Sequence, residues 1–277
     1  MNDAARPAGP HRARKRFGQN FLVDQTVIDR IVEAINPRAG EHIVEIGPGQ
    51  AALTRKLLAA MGKEASIDAV EIDRDLVARL TTEFDGSRLR VHQADAMEFD
   101  FGTLPAPLRV VGNLPYNIST PILFRLCEFE DRILDMTFML QKEVVDRMAA
   151  GAGEDARGRL SVMLQYRYRV EHCFDVPPTA FKPVPAVDSS IVRLTPLGAD
   201  PDAPVGARRL RPKDETLFAR IVNDAFSQRR KMLRKSLAAW VKPDAWTAIG
   251  VEPTARAEEL TTEAFVAISD WAFANRA

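Results

Sequence analysis

Between residues 25 and 35 the apolar side chains fall at Val27, Ile28, Ile31, Val32 and Ile35, the spacing of one helical face, and the stripe stops before Asn36-Pro37. The period then changes. His42-Ile43-Val44-Glu45-Ile46 is a short, nearly continuous apolar run halted by Gly47-Pro48-Gly49, and helical spacing resumes from Ala52 to Met61. Strand, glycine turn and helix therefore succeed one another. The alternation continues, with strands expected at 66–72, 89–92, 109–112 and 135–140 and helices at 73–84, 120–129 and 142–149. Strands separated by helices at this spacing predict an α/β fold, a doubly wound, mostly parallel sheet covered on both faces. The stretches 160–168 and 187–194 read as a late strand pair closing the sheet edge.

A Pro-, Gly-, Ala- and Asp-rich stretch without apolar period, 199–212, reads as a linker. Beyond it, Leu217, Phe218, Ile221, Val222, Ala225 and Phe226 form one apolar stripe, Met232, Leu233, Leu237 and Trp240 another, and Phe265, Ile268 and Trp271 a last one. The expected organisation is a basic tail at 1–13, a main domain at 14–198 and a small all-helical domain at 213–277.

Composition narrows the class. With 277 residues and 46% hydrophobic content the chain is long enough for one sizeable core and a small appended domain. The apolar stretch 133–140 is interrupted by Asp135 and too short to span a bilayer, so no membrane segment is expected. The basic N-terminus runs into Phe17-Gly18-Gln19-Asn20 with no apolar signal region. Cys127 and Cys173 offer neither a disulfide framework nor metal-ligand spacing, which points to a reducing, cytoplasmic setting and no metal. Net charge is zero but unevenly spread: +4 over residues 1–20, +8 over 206–242 and −12 over the rest. Two basic segments on an acidic body fit a polyanionic partner; a solvated tail and helix face fit the charge alone equally well.

The chemistry gathers at strand ends. Gly47-Pro48-Gly49 allows a tight turn and close approach of a ligand to the backbone, although by itself it also fits a plain turn or a dinucleotide site. The dinucleotide spacing fails, because Ala52 stands where the third glycine belongs. Glu71 ends the next strand 22 residues beyond Gly49, near the interval at which a carboxylate meets ribose hydroxyls. Asp95 follows the third strand and suits an adenine amine, or a helix N-cap. An adenosyl group fits all three. Asn113-Leu114-Pro115-Tyr116 then suits a poor nucleophile: the Asn113 side-chain oxygen and the Leu114 carbonyl would accept the two hydrogens of an adenine amine and aim its lone pair at an electrophilic methyl. Pro115 stiffens the turn, and Tyr116 would stack on a base swung out of its strand.

Taken together, these motifs resemble the ribosomal RNA adenine dimethyltransferase family, in its small-subunit branch, from about Arg14 to Trp271. The resemblance rests on Arg16-Phe17-Gly18-Gln19-Asn20-Phe21-Leu22, Val44-Glu45-Ile46-Gly47-Pro48-Gly49, Val70-Glu71-Ile72-Asp73, Asp95-Ala96-Met97, Gly112 to Ser119, and Phe181-Lys182-Pro183-Val184-Pro185-Ala186-Val187-Asp188-Ser189. It implies a Rossmann-like class I methyltransferase with a seven-stranded sheet and S-adenosylmethionine as cofactor. It also implies that Gln19, Asn20 and Leu22 close over the cofactor, that Ile72 and Ala96 join Glu71 and Asp95 in holding it, and that Phe181 flanks the target adenine opposite Tyr116. Arg229, Arg230, Lys231 and Arg234 resemble the family's RNA-contacting segment, and cations on one helical turn suit phosphates. The implied reaction dimethylates the N6 amines of two adjacent adenosines in the 3′-terminal hairpin of small-subunit rRNA, within an immature ribosomal subunit. Nothing requires more than a monomer. Arg157 and Lys182 depart from the family pattern. Three rivals share some of these features: dimethylation of large-subunit rRNA, an assembly factor that methylates only incidentally, and a DNA or protein-glutamine methylase, against which Leu114 and the basic helical domain both argue.

Overall fold

The computed structural model describes residues 20–63, 65–84, 86–198, 211–228 and 230–275. Seven strands form one sheet in the order β4-β3-β2-β5-β6-β9-β7: β2 (His42–Ile46), β3 (Ile67–Glu71), β4 (Leu89–Gln93), β5 (Leu108–Asn113), β6 (Ile133–Gln141), β7 (Tyr168–Val176) and β9 (Ser189–Pro196). The β2–β3, β3–β4, β2–β5 and β5–β6 pairs are all parallel. A further two-stranded antiparallel pair joins β1 (Phe21–Leu22) to β8 (Phe181–Lys182), with Phe21 opposite Lys182 and Leu22 opposite Phe181.

Contacts divide the chain into two compact units, 1–142 with 173–192, and 143–172 with 193–277. This differs from the boundary expected near residue 198. In the first unit, α1 (Gln25–Ile35) begins where the Asp24 carboxylate accepts from the Thr26 and Val27 amides and ends at Asn36 in the left-handed conformation. Its stripe of Val27, Ile28, Ile31 and Ile35 is buried in one cluster with Leu53, Leu57, Leu58 and Met61 of α2 (Ala52–Met61). Helix α3 (Arg74–Glu83) is capped by buried Asp73, and α4 (Ser119–Leu126) follows β5. Strands β2, β3 and β5 are almost wholly buried, which is why they read as continuous apolar runs and not as alternating ones.

In the second unit lie α5 (Lys142–Ala149, whose first residue belongs to the first unit), α6 (Arg159–Gln165), α7 (Glu215–Phe226), α8 (Leu233–Ser236), α9 (Trp246–Ile249) and α10 (Thr262–Ala274). Buried Arg157 ties its distant pieces together, donating to the Ala150 and Leu260 carbonyls at 2.8 and 2.9 Å, to Gln165 Oε1 at 2.9 Å and to Thr262 Oγ1 at 3.1 Å. The departure from the family pattern at this position thus has a structural occupation.

Two sequence expectations need correction. Residues 160–168 do not form a strand: 159–165 is helix α6, with every residue from Leu160 to Leu164 buried, and an apolar run enclosed on all sides carries no period that separates helix from strand. The strand expected there is instead β7, starting at Tyr168, whose polar edge sequence hid it. The expected helix at 120–129 ends at Leu126 and continues as 3-10 turns to Arg132.

Candidate active site

The strand order reverses between β2 and β5, whose neighbours diverge to either side, and a crevice at the carboxyl ends of such strands is where ligands bind in open parallel sheets. Ile46 lies opposite Gly112, so the chain leaves β2 through Gly47 directly beside Asn113, the last residue of β5. A cavity of about 220 Å³ opens here, lined among others by Gly47, Gly49, Glu71, Ile72, Asp95, Ala96 and the run Asn113 to Ile118. The structure therefore brings together the four strand-end elements that the sequence singled out separately.

The turn after β2 works because Gly47 and Gly49 adopt φ of +68° and +56°. A side chain on Gly49 would meet the Phe21 ring at 3.2 Å, since that ring covers the turn. The Gly49 amide donates to Glu71 Oε2 at 3.2 Å and the Asp73 amide to Oε1 at 2.9 Å. Burial pushes the Glu71 carboxyl up, and these amides pull it back. Asp95 Oδ1 accepts from the Met97 amide at 2.9 Å, a capping contact made by a residue that also lines the cavity. Ile72 is 46% exposed at the cavity wall, an unusual position for a large apolar side chain and a suitable bed for a flat ring.

Asn113 decides what the cavity can do. Its side-chain amide donates to the Asn20 carbonyl at 3.0 Å, which turns the Oδ1 acceptor away from that contact. The Leu114 amide is occupied by the Met139 carbonyl at 3.3 Å, and Tyr116 is fixed through its hydroxyl, 2.7 Å from Ser189 Oγ. An acceptor and an aromatic plate thus stand on one short turn beside the carboxylates. The set suits a purine amine and an adenosyl cofactor: a buried carboxylate at the right distance along the chain for a diol, an apolar wall for a ring, and acceptors for an amine.

Other expected site residues lie elsewhere. Phe181 is 1% exposed, packs in the core with Leu22, Ile28 and Ile191, and is not among the residues lining this cavity. Leu22 borders instead a second, smaller cavity of about 50 Å³ behind the glycine turn, which shares Asn113 with the first. Gln19 and Arg229 lie outside the described residues. Arg230, Lys231 and Arg234 are exposed, but they do not share a helical turn: α7 stops at Phe226, Arg230 and Lys231 sit in the connection, and Arg234 is on α8.

Sequence reasoning missed Phe21 as a wall of both cavities and Glu45 as the buried acid of the smaller one. Glu45 is 2% exposed, accepts from Thr54 Oγ1 at 2.6 Å, and is pushed by burial up to about 7, with the Glu71 charge adding to the rise. Among the described residues no cluster of His, Cys, Asp and Glu could hold a metal ion, and no helix is long and apolar enough to cross a membrane.

A family profile described as ribosomal RNA adenine dimethylase matches residues 10–273. The chain belongs to that family. Ribosomal RNA small subunit methyltransferase A of Aromatoleum aromaticum is 54% identical over 261 residues, covering 94% of each chain. The protein of the same name from Pseudomonas putida is 53% identical over 264 residues, covering 94% of this chain and 95% of its own. Among solved structures, a dimethyladenosine transferase from Plasmodium falciparum superposes with a TM-score of 0.73 over 89% of this chain and 95% of its own, at 22% identity. The 23S rRNA methyltransferase ErmE gives 0.68 over 91% and 98%, at 26% identity. As a ribosomal RNA adenine dimethylase, the chain is an S-adenosylmethionine-dependent methyltransferase.

Proposed function

We propose that this dimethylase converts two adjacent adenosines in the 3′-terminal hairpin of small-subunit rRNA to N6,N6-dimethyladenosine, acting in the cytoplasm as a monomer on an immature ribosomal subunit. The small-subunit name of relatives just above half identical favours that RNA over the large-subunit alternative. The observation that carries the catalytic reading is the placement of Asn113, which lines the same cavity as Glu71 and whose side-chain nitrogen is engaged by the Asn20 carbonyl, leaving Oδ1 for the acceptor role assigned to it here.

Glu71 would hold the ribose hydroxyls of the cofactor, Asp95 its adenine amine, and Ile72 and Ala96 its ring, while Gly47 and Gly49 let it approach the backbone. Asn20 and Leu22, with Gln19 before them, would cover its amino-acid end. When bound, S-adenosylmethionine supplies an electrophilic methyl group on a sulfonium. Asn113 Oδ1 and the Leu114 carbonyl would accept the two N6 hydrogens, draw the nitrogen toward tetrahedral geometry and orient its lone pair; Pro115 keeps that turn rigid. Tyr116 stacks on the extruded base, a contact worth roughly 1–3 kcal/mol. No strong base is required, because orientation does most of the work. Exposed Arg230, Lys231 and Arg234, with Arg229, would bind RNA phosphates.

The test is methylation of immature small subunits with labelled cofactor, read by nucleoside mass spectrometry and by mapping of the modified bases. Asn113→Ala is expected to lower the rate at least about 100-fold with cofactor affinity little changed. Unchanged methylation by that variant, or modification confined to large-subunit RNA, would overturn the proposal.

A further inference from the structure

The Tyr116 ring is anchored at both ends. At its base, the Ile118 amide closes a turn on the Pro115 carbonyl at 3.1 Å, and Ser119 Oγ donates to the Tyr116 carbonyl at 3.2 Å. At its tip, the phenol oxygen meets the hydroxyl of Ser189, a fully buried residue at the start of β9. A phenylalanine would stack on a base equally well, so the phenol hydroxyl needs another reason, and its hydrogen-bond partner among the described residues is that serine.

Ser189 is itself immobilised on both sides. The preceding Asp188 carbonyl accepts from the Lys142 amide at 3.0 Å, and the following Ser190 hydroxyl donates to Asp175 Oδ1 at 2.6 Å. The serine oxygen is therefore a fixed point in the first unit. We propose that Ser189 is a positioning residue for methyl transfer: by holding the Tyr116 hydroxyl it sets the plane of the ring on which the target adenine stacks, and so the direction in which the N6 lone pair points. The inference rests on the functional reading above and deepens it. Asn113 and Tyr116 leave the same turn, one steadied from the β1 side through Asn20 and the other from β9 through Ser189, so acceptor and plate keep a fixed mutual geometry. Burial also pushes the phenol pKa up, so the hydroxyl stays protonated across the working range and serves as an anchor, not as a base.

The experiment compares full-length wild type with Ser189→Ala, Ser189→Thr, Tyr116→Phe and the double variant Tyr116→Phe/Ser189→Ala, on immature small subunits. Loss of one buried hydroxyl pair is expected to lower kcat about fivefold. KM for the particle and the calorimetric Kd for S-adenosylmethionine should stay within twofold of wild type. Ser189→Thr, which keeps the hydroxyl, should recover most of the rate. Because both single changes remove one interaction, the double variant should be no slower than either alone. Unaltered kcat in Ser189→Ala, or multiplying losses in the double variant, overturns the proposal. If Ser189→Ala does not fold, Tyr116→Phe decides alone, and wild-type kcat in it is a refutation. A wild-type protein inactive on the particle sinks the functional reading and this inference together; an active wild type matched by Ser189→Ala sinks only this one.

Discussion

Glu45 is a carboxyl group two residues before the glycine turn with almost no access to water and one hydroxyl for company. Its folded-state pKa is above the unfolded value, so it costs nothing while protonated and destabilises progressively as pH rises from 4.5 to about 7, where the cost levels off. A shift of that size corresponds to about 3 kcal/mol at about 1.4 kcal/mol per unit, of which roughly 2 kcal/mol falls between pH 5 and 8. Glu45→Gln keeps an acceptor for Thr54 and removes the ionisation. Denaturant unfolding without added cofactor should show the wild type losing roughly 2 kcal/mol more than this variant between those pH values; parallel pH profiles would contradict the assignment. That Glu71, Asp95 and Asn113 would meet at one cavity was legible in the sequence, because each stands at or just beyond the end of a parallel strand. Glu45, Phe21 and Ser189 were not, since their roles come from neighbours 9 to 73 residues away or from a ring lying over a glycine. Asp68 is another such case: buried, it gathers His42 at 2.5 Å, His92 at 2.7 Å and Arg90 at 2.6 Å from two flanking strands, a cluster that exists only once the register is known. Phe181, which family resemblance assigns to the target adenine, is buried in the core cluster, a packing role its motif did not reveal.

At the level of elements, the reversal of strand order depends on how closely β2 and β5 approach. A side chain at Gly112 would stand 2.5 Å from the Ile46 carbonyl oxygen, which is backbone and has nowhere to yield. Gly112→Ala should therefore push the two strands apart next to Gly47 and Asn113, at a cost of about 1–3 kcal/mol. The affinity for S-adenosylmethionine should fall with it, measured by thermal unfolding and calorimetry; an alanine variant with wild-type stability and affinity would show that the strands can slide. The central strands were legible because both their faces are buried and glycines or carboxylates end them. Helix α6 was not, because burial on every side erases its period, and β7 was not, because a sheet-edge strand carrying Arg169, Glu171 and His172 lacks the apolar signature of its neighbours.

For the whole molecule the consequential fact is that neither compact unit is a continuous stretch of chain. A fragment covering 14–198, the catalytic domain expected from the linker, would keep α6 but lose α7 and α10, which pack against it, and the Leu260 and Thr262 partners of Arg157. It would carry an uncovered apolar helix and a guanidinium that keeps Ala150 and Gln165 but has lost two of its four acceptors, a cost of several kcal/mol. The fragment is expected to aggregate or bind a hydrophobic dye on gel filtration, where the full chain does not; a monomeric fragment with a sharp unfolding transition would refute this. The bond from Arg157 to Leu260 spans 103 residues of sequence. During synthesis at about 5–20 residues per second, α6 therefore waits several seconds or more for the helices that will shelter it. An enzyme that methylates ribosomal RNA must itself leave a ribosome with an apolar segment still waiting for the helices that cover it.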